Sequence, residues 1–153
     1  MTGGIVAQGP YRYRLWRRWG AAPSALFIML NPSTADAMED DPTIRRCIAF
    51  ARRWRCGGVE VVNLYALRAT DPRDLLRHRA PVGPRNDAIL AEAIATAAVP
   101  VVAWGRHGRA DRAARVLELA AGRTLHCLAI NDDGSPRHPL YVPGDVRRRR
   151  WRP

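Results

Sequence analysis

The chain has 153 residues, 47% apolar and 25% charged, enough for one domain with a single core and unlike a disordered or fibrous protein. Its net charge of +11 comes from 25 basic residues against 14 acidic, and all 25 are arginine. This excludes a lysine Schiff base and makes a polyanion such as nucleic acid the expected partner.

Tyr11 to Trp19 (YRYRLWRRW) alternates aromatic or aliphatic residues with arginine over its first six positions, the period of a half-exposed strand. Ala25 to Leu30 is a continuous apolar run, as in a strand buried on both faces. Pro42 to Cys56 is the clearest helix. Asp41 suits its cap, Pro42 its first position, and Ile44, Cys47, Ile48 and Ala51 form one apolar face. Val59 to Leu64 reads as a second buried strand, and Asn86 to Ala97 as a helix. Val99 to Trp104 is a third strand, with Pro100 near its start, where a lost donor matters least. Arg106 to Ala121 is a third helix, whose arginines at steps of three drift around its axis and form no stripe. Thr124 to Ile130 is a fourth strand. The last ten residues carry a net +4 and read as an arginine-rich tail.

The longest apolar stretch, Ile89 to Trp104, is broken by Glu92 and Pro100, so no membrane span or membrane partner is expected. The N-terminus shows no basic flank followed by an apolar run, and Cys47, Cys56 and Cys127 have no C-x-x-C spacing. A cytoplasmic, monomeric protein without disulfides is the expectation. No zinc-ligand pair, Walker loop or G-x-S-x-G elbow occurs, so neither metal nor cofactor is expected.

Alternating apolar strands and helices predict an α/β domain over residues 1–143, followed by the tail at 144–153. The expected architecture is a three-layer α/β/α sandwich with a central four-stranded parallel sheet. Right-handed crossovers then bring the loops after the four strands to one sheet edge, where such folds bind ligands. Those loops supply Asn31 to Asp36, then Asn63, Tyr65 and Arg68, then Gly105 to Gly108, and finally Gly134 to Tyr141. His138, in a loop stiffened by Pro136 and Pro139, is the histidine singled out. A lone Asn or Ser after a strand is often only a turn or cap residue.

The blocks LNPSTAD, NLYALRATDP, AWGRHG and GSPRHPLY, with DDPT between the first two, resemble an uncharacterised bacterial domain-of-unknown-function family from Tyr11 to Tyr141. More remotely, their order resembles the uracil-DNA glycosylase superfamily. That resemblance implies cleavage of an N-glycosidic bond in DNA. The water-positioning loop falls on Asn31 and Pro32, the base-reading asparagine on Asn63, and a Trp-Gly strand end on Trp104 and Gly105. The His-Pro loop falls on His138 and Pro139. Ser33 stands where a glycine is usual in the Asn-Pro branches, and Leu140 where a serine follows the His-Pro. Three cysteines exclude the iron–sulfur branches.

On this reading Asn31 holds water beneath the sugar carbon and His138 donates to the departing base. Asn63 reads the base edge, and Tyr65 or Phe50 stacks on it. Asp36 is either a general base or a cap. Pro32, Ser33, Gly105, His107, Arg137 and Pro139 complete the expected substrate-binding set. Two alternatives remain at this point: an enzyme of free nucleosides or nucleotides, and a non-catalytic nucleic-acid-binding module.

Overall fold

The apolar runs after Pro23, Gly57 and Ala98 form the centre of a mixed seven-stranded sheet in the computed structural model, which describes residues 1–153. The strands are β1 (Thr2–Gln8), β2 (Tyr11–Arg18), β3 (Ser24–Met29), β4 (Gly58–Asn63), β5 (Val99–Val102), β6 (His126–Cys127) and β7 (Arg149–Arg150). The helices are α1 (Pro42–Arg53), α2 (Arg73–Arg77), α3 (Asn86–Thr96) and α4 (Ala110–Ala120). Strand order is β1-β2-β4-β3-β5-β6-β7. β3 runs parallel to both β4 and β5, and β6 joins β5 in parallel through the pair Val101–His126. β1 and β2 are antiparallel on one side, as is β7 on the other.

The sheet is therefore wider than the four parallel strands expected, because residues outside the apolar runs extend it at both edges. Helices cover both faces. α1 packs Ile44, Cys47, Phe50 and Ala51 against Ala25, Phe27, Val59 and Val61. α3 and α4 pack Leu90, Ile94 and Val116 against Leu26, Ile28, Val62 and Val102. α1 starts as its sequence dictates: Asp41 Oδ1 accepts the Ile44 N–H at 2.8 Å, and Pro42 needs no donor at the first position. Gly57 follows because a Cβ there would lie 2.1 Å from the Ala22 carbonyl oxygen. No helix is long and apolar enough to cross a membrane.

The segment 144–153 is not a tail appended to the domain. Arg149 and Arg150 pair with Cys127 and His126, and the Trp151 N–H donates to Leu125 O at 2.8 Å. The Trp151 ring is 6% exposed and meets Trp104 edge-on at 5.2 Å. Removing a buried indole costs roughly 3–5 kcal/mol, so these residues belong to the fold.

β2 departs from regular alternation. Val6 lies opposite Arg14 and Ala7 opposite Arg12, which leaves Tyr13 as an extra residue. Positions 12 and 17 would face opposite sides of an unbroken strand. With the bulge, both arginines reach the loop between β3 and α1: Arg12 donates to Ala35 O at 2.7 Å and Arg17 to Asp40 Oδ1 at 2.9 Å. Tyr11 and Tyr13 stack on each other at 5.9 Å instead. The half-exposed alternation expected from YRYRLW fails at Arg12, which is buried.

Candidate functional site

Chain direction reverses its spatial order between β3 and β5: the connection from β3 leads to β4 on one side, and the next crosses to β5 on the other. Open α/β sheets form ligand crevices at such a switch point, outside the carboxyl ends of the strands. Here the crevice is about 770 Å³. Asn31 and Ser33 line it from the loop after β3, and Asn63 from the end of β4. Gly105 and His107 enter from the loop after β5, and Arg137 and His138 from the loop after β6. The structure thus brings seven of the expected site residues to one cavity.

Asn63 is 1% exposed, and neither its Nδ2 nor its Oδ1 has a hydrogen-bond partner. Its backbone is fixed all the same, because its carbonyl accepts from Asn86 Nδ2 at 2.9 Å. A buried polar group left without a partner costs about 1–3 kcal/mol, so contacts of its own side chain with protein do not account for an asparagine here. Asn31 differs. Its Nδ2 donates to Ala69 O at 2.7 Å and to Pro32 O at 3.0 Å, which leaves the side-chain oxygen without a protein donor.

His138 Nδ1 accepts the Leu140 N–H at 3.1 Å. That bond requires a lone pair on Nδ1, so in the neutral ring the proton sits on Nε2. Burial pushes its pKa below the ordinary value, against the opposing pull of the Asp41 carboxylate. The ring is therefore a neutral donor at pH 7. Its loop is tied to the one after β5 by the Gly105 N–H, which donates to Pro136 O at 2.8 Å. Gly105 has a φ of +79°, a conformation that favours glycine. Arg137 donates through Nε to Asn131 Oδ1 at 2.9 Å, and its other guanidinium nitrogens make no protein bond.

Asp41 is the sole carboxylate lining the crevice, and it also caps α1. Arg12 lies on the same wall, 2% exposed, with no carboxylate within salt-bridge distance and a buried Nε that has no partner. Burial lowers its pKa to about 10, with Asp41 opposing, so the guanidinium stays charged at neutral pH. Trp104 and Tyr141 supply the aromatic surface.

Other expected residues stand elsewhere. Asp36 is exposed, and its Oδ1 accepts the Met38 and Glu39 N–H groups at 2.9 and 2.8 Å, which lowers its pKa. It is a turn cap outside the crevice lining. Pro32 and Pro139 are buried behind the lining, where they shape its loops. Tyr65 lines a neighbouring cleft of about 290 Å³ that meets the crevice at Pro72 and His107. Phe50 packs in the α1 core against Phe27 and Trp54. At Gly108 a Cβ would come within 2.5 Å of the Trp104 ring, so the close approach of the loop to that ring requires glycine.

Sequence reasoning missed Arg12, because the bulge that re-aims it has no local signature. Asp41 reads only as a cap from the sequence, because its place on the crevice wall depends on the fold. The arginines from 147 to 150 line a different hollow, beside Arg53 and Trp54. That hollow lies at the opposite end of α1 from Asp41, about 18 Å away for twelve residues.

This is an α/β protein with a polar, arginine-lined crevice at the switch point of its sheet. The family described as "Protein of unknown function (DUF1643)" matches residues 12–140, and the chain belongs to that family. No curated protein and no solved structure matches it, and nothing in these comparisons connects it with the uracil-DNA glycosylases.

Proposed function

We propose that the protein is a monofunctional glycosylase that hydrolyses the N-glycosidic bond of a modified or deaminated base in DNA. The observation that carries this reading is the buried Asn63 amide, with both polar atoms unpartnered on the crevice wall. A donor and an acceptor side by side are complementary to a nucleobase edge, which also presents the two side by side. The parallel run β4-β3-β5-β6, with α1 on one face and α3 and α4 on the other, supports the three-layer, four-stranded arrangement that the resemblance implies.

In this mechanism an extruded base enters the crevice against Trp104 and Tyr141 and pairs with Asn63. As the bond from the base to C1′ breaks, its electron pair leaves with the base. His138 Nε2–H donates to the base oxygen on which negative charge collects. Water held by the Asn31 side-chain oxygen forms the new bond to C1′, and its proton passes to Asp41. The base regains a proton from solvent. One such donor is worth roughly 10²–10³ in rate. The general-base role considered for Asp36 falls instead to Asp41, which lines the crevice.

Incubation with oligonucleotides carrying a panel of modified bases, read as alkali-labile abasic sites, tests the reading. One base should be released. His138→Ala should then lower the single-turnover rate on the order of 10²-fold with affinity unchanged. Release of no base from any oligonucleotide ends the DNA reading. A second reading, hydrolysis of free nucleotides, is favoured by the distance of the 147–150 arginines from the crevice. The same assay on mononucleotides decides it.

A further inference from the structure

We propose that Arg12 forms a phosphate-binding subsite of the crevice, which takes the phosphate of the nucleotide whose base meets Asn63. The assignment of the base rests on the glycosylase reading, whereas the phosphate site stands on Arg12 alone.

Three arginines are buried in this fold, and two are paired with a carboxylate as well as with backbone carbonyls. Arg17 donates to Asp40 and to the carbonyls of Trp16, Asp36 and Glu39. Arg112 donates to Leu64 O and Asp87. Arg12 makes a single bond, to Ala35 O. A guanidinium has five N–H donors in a planar fork that matches two oxygens of a phosphate. Arg12 is the buried arginine that lines the crevice, and its Nε is orphaned. The bulge at Tyr13 turns it there, as bulges do beside functional sites. Asp41, the carboxylate on the same wall, makes no salt bridge with it, so beyond the one donor that the Ala35 carbonyl takes, the guanidinium is left without a protein partner. The unsatisfied groups therefore comprise a neutral amide and a cation on one cavity, which are the two halves of a nucleotide's recognition.

The test uses the intact protein at constant ionic strength. Inorganic phosphate in place of chloride should raise the thermal midpoint of the wild type and leave that of Arg12→Gln unmoved. In calorimetry, 2′-deoxyuridine 5′-monophosphate should bind wild type at least tenfold more tightly than 2′-deoxyuridine, and Arg12→Gln should erase that ratio. If the glutamine variant does not fold, Arg12→Lys replaces it. That variant should keep phosphate binding weakened about tenfold, because an ammonium lacks the fork. A wild type indifferent to phosphate overturns the proposal, as does a variant that responds like the wild type. Phosphate stabilisation without nucleoside binding would sustain the Arg12 site and count against the Asn63 reading. A short single-stranded oligonucleotide that binds more tightly than the monophosphate assigns the phosphate to a polymer backbone. The reverse order assigns it to a free nucleotide.

Discussion

The two ends of β2 carry the same residue type to the same loop and use it differently. At one end Arg17 is 4% exposed and bonded to Asp40 and three carbonyls, which hold the β3–α1 loop against the sheet. At the other end Arg12 is equally buried and bonded once. Burial does not distinguish the two arginines; the number of their donors that protein takes up does. The same rule divides the asparagines. Asn86 donates twice into the backbone of Asn63 and Leu64, whereas the side chain of Asn63 bonds to nothing.

The largest effect should come from Arg17→Met. It strands Asp40 and frees the loop, so chemical denaturation should show a loss of about 3 kcal/mol. Asn63→Leu should move stability the other way, by about 1–2 kcal/mol, because it removes an unsatisfied amide, and it should abolish base selection. Arg12→Met should lie within about 1 kcal/mol of wild type in the absence of ligand, since no carboxylate is stranded. A loss as large as that of Arg17→Met would make Arg12 a brace and erase the contrast.

The smallest effect concerns protons. Burial holds the pKa of both His126 and His138 below the ordinary 6.5, so the unfolded chain takes up protons more readily than the native one. The stability they contribute is fully present above 6.5 and is lost as pH falls toward their folded values. Melting curves from about pH 7 to pH 5 should therefore decline in the wild type. The double variant His126→Gln, His138→Gln should flatten that decline.

Much of the fold was legible because it is local. The cap at Asp41, the proline after it and the 3.6-residue spacing of Ile44, Cys47 and Ala51 determine α1, and apolar runs mark β3, β4 and β5 to within a few residues. The convergence of Asn31, Asn63, Gly105 and His138 followed from topology, since right-handed crossovers place those loops at one edge. What was not legible depends on distant partners. Thr2 to Gln8 has no alternation and becomes a strand by pairing with β2, where the Trp16 ring lies over Gly4. Arg149 and Arg150 look like a solvated charge run, and only Trp151 seating against Trp104 draws them into the sheet. Arg12 escaped because one extra residue reverses the pleat.

The sheet ends in two unequal edges. β7 is two residues long, both of them exposed arginines, so a second copy approaching it meets like charge across a very short ladder. β1 runs for seven residues without a charged side chain and presents a longer row of backbone donors and acceptors. One edge is thus blunted by its length and charge, and the other is not. Two of the charges that make up +11 stand at a sheet edge, where like charge opposes strand pairing between copies.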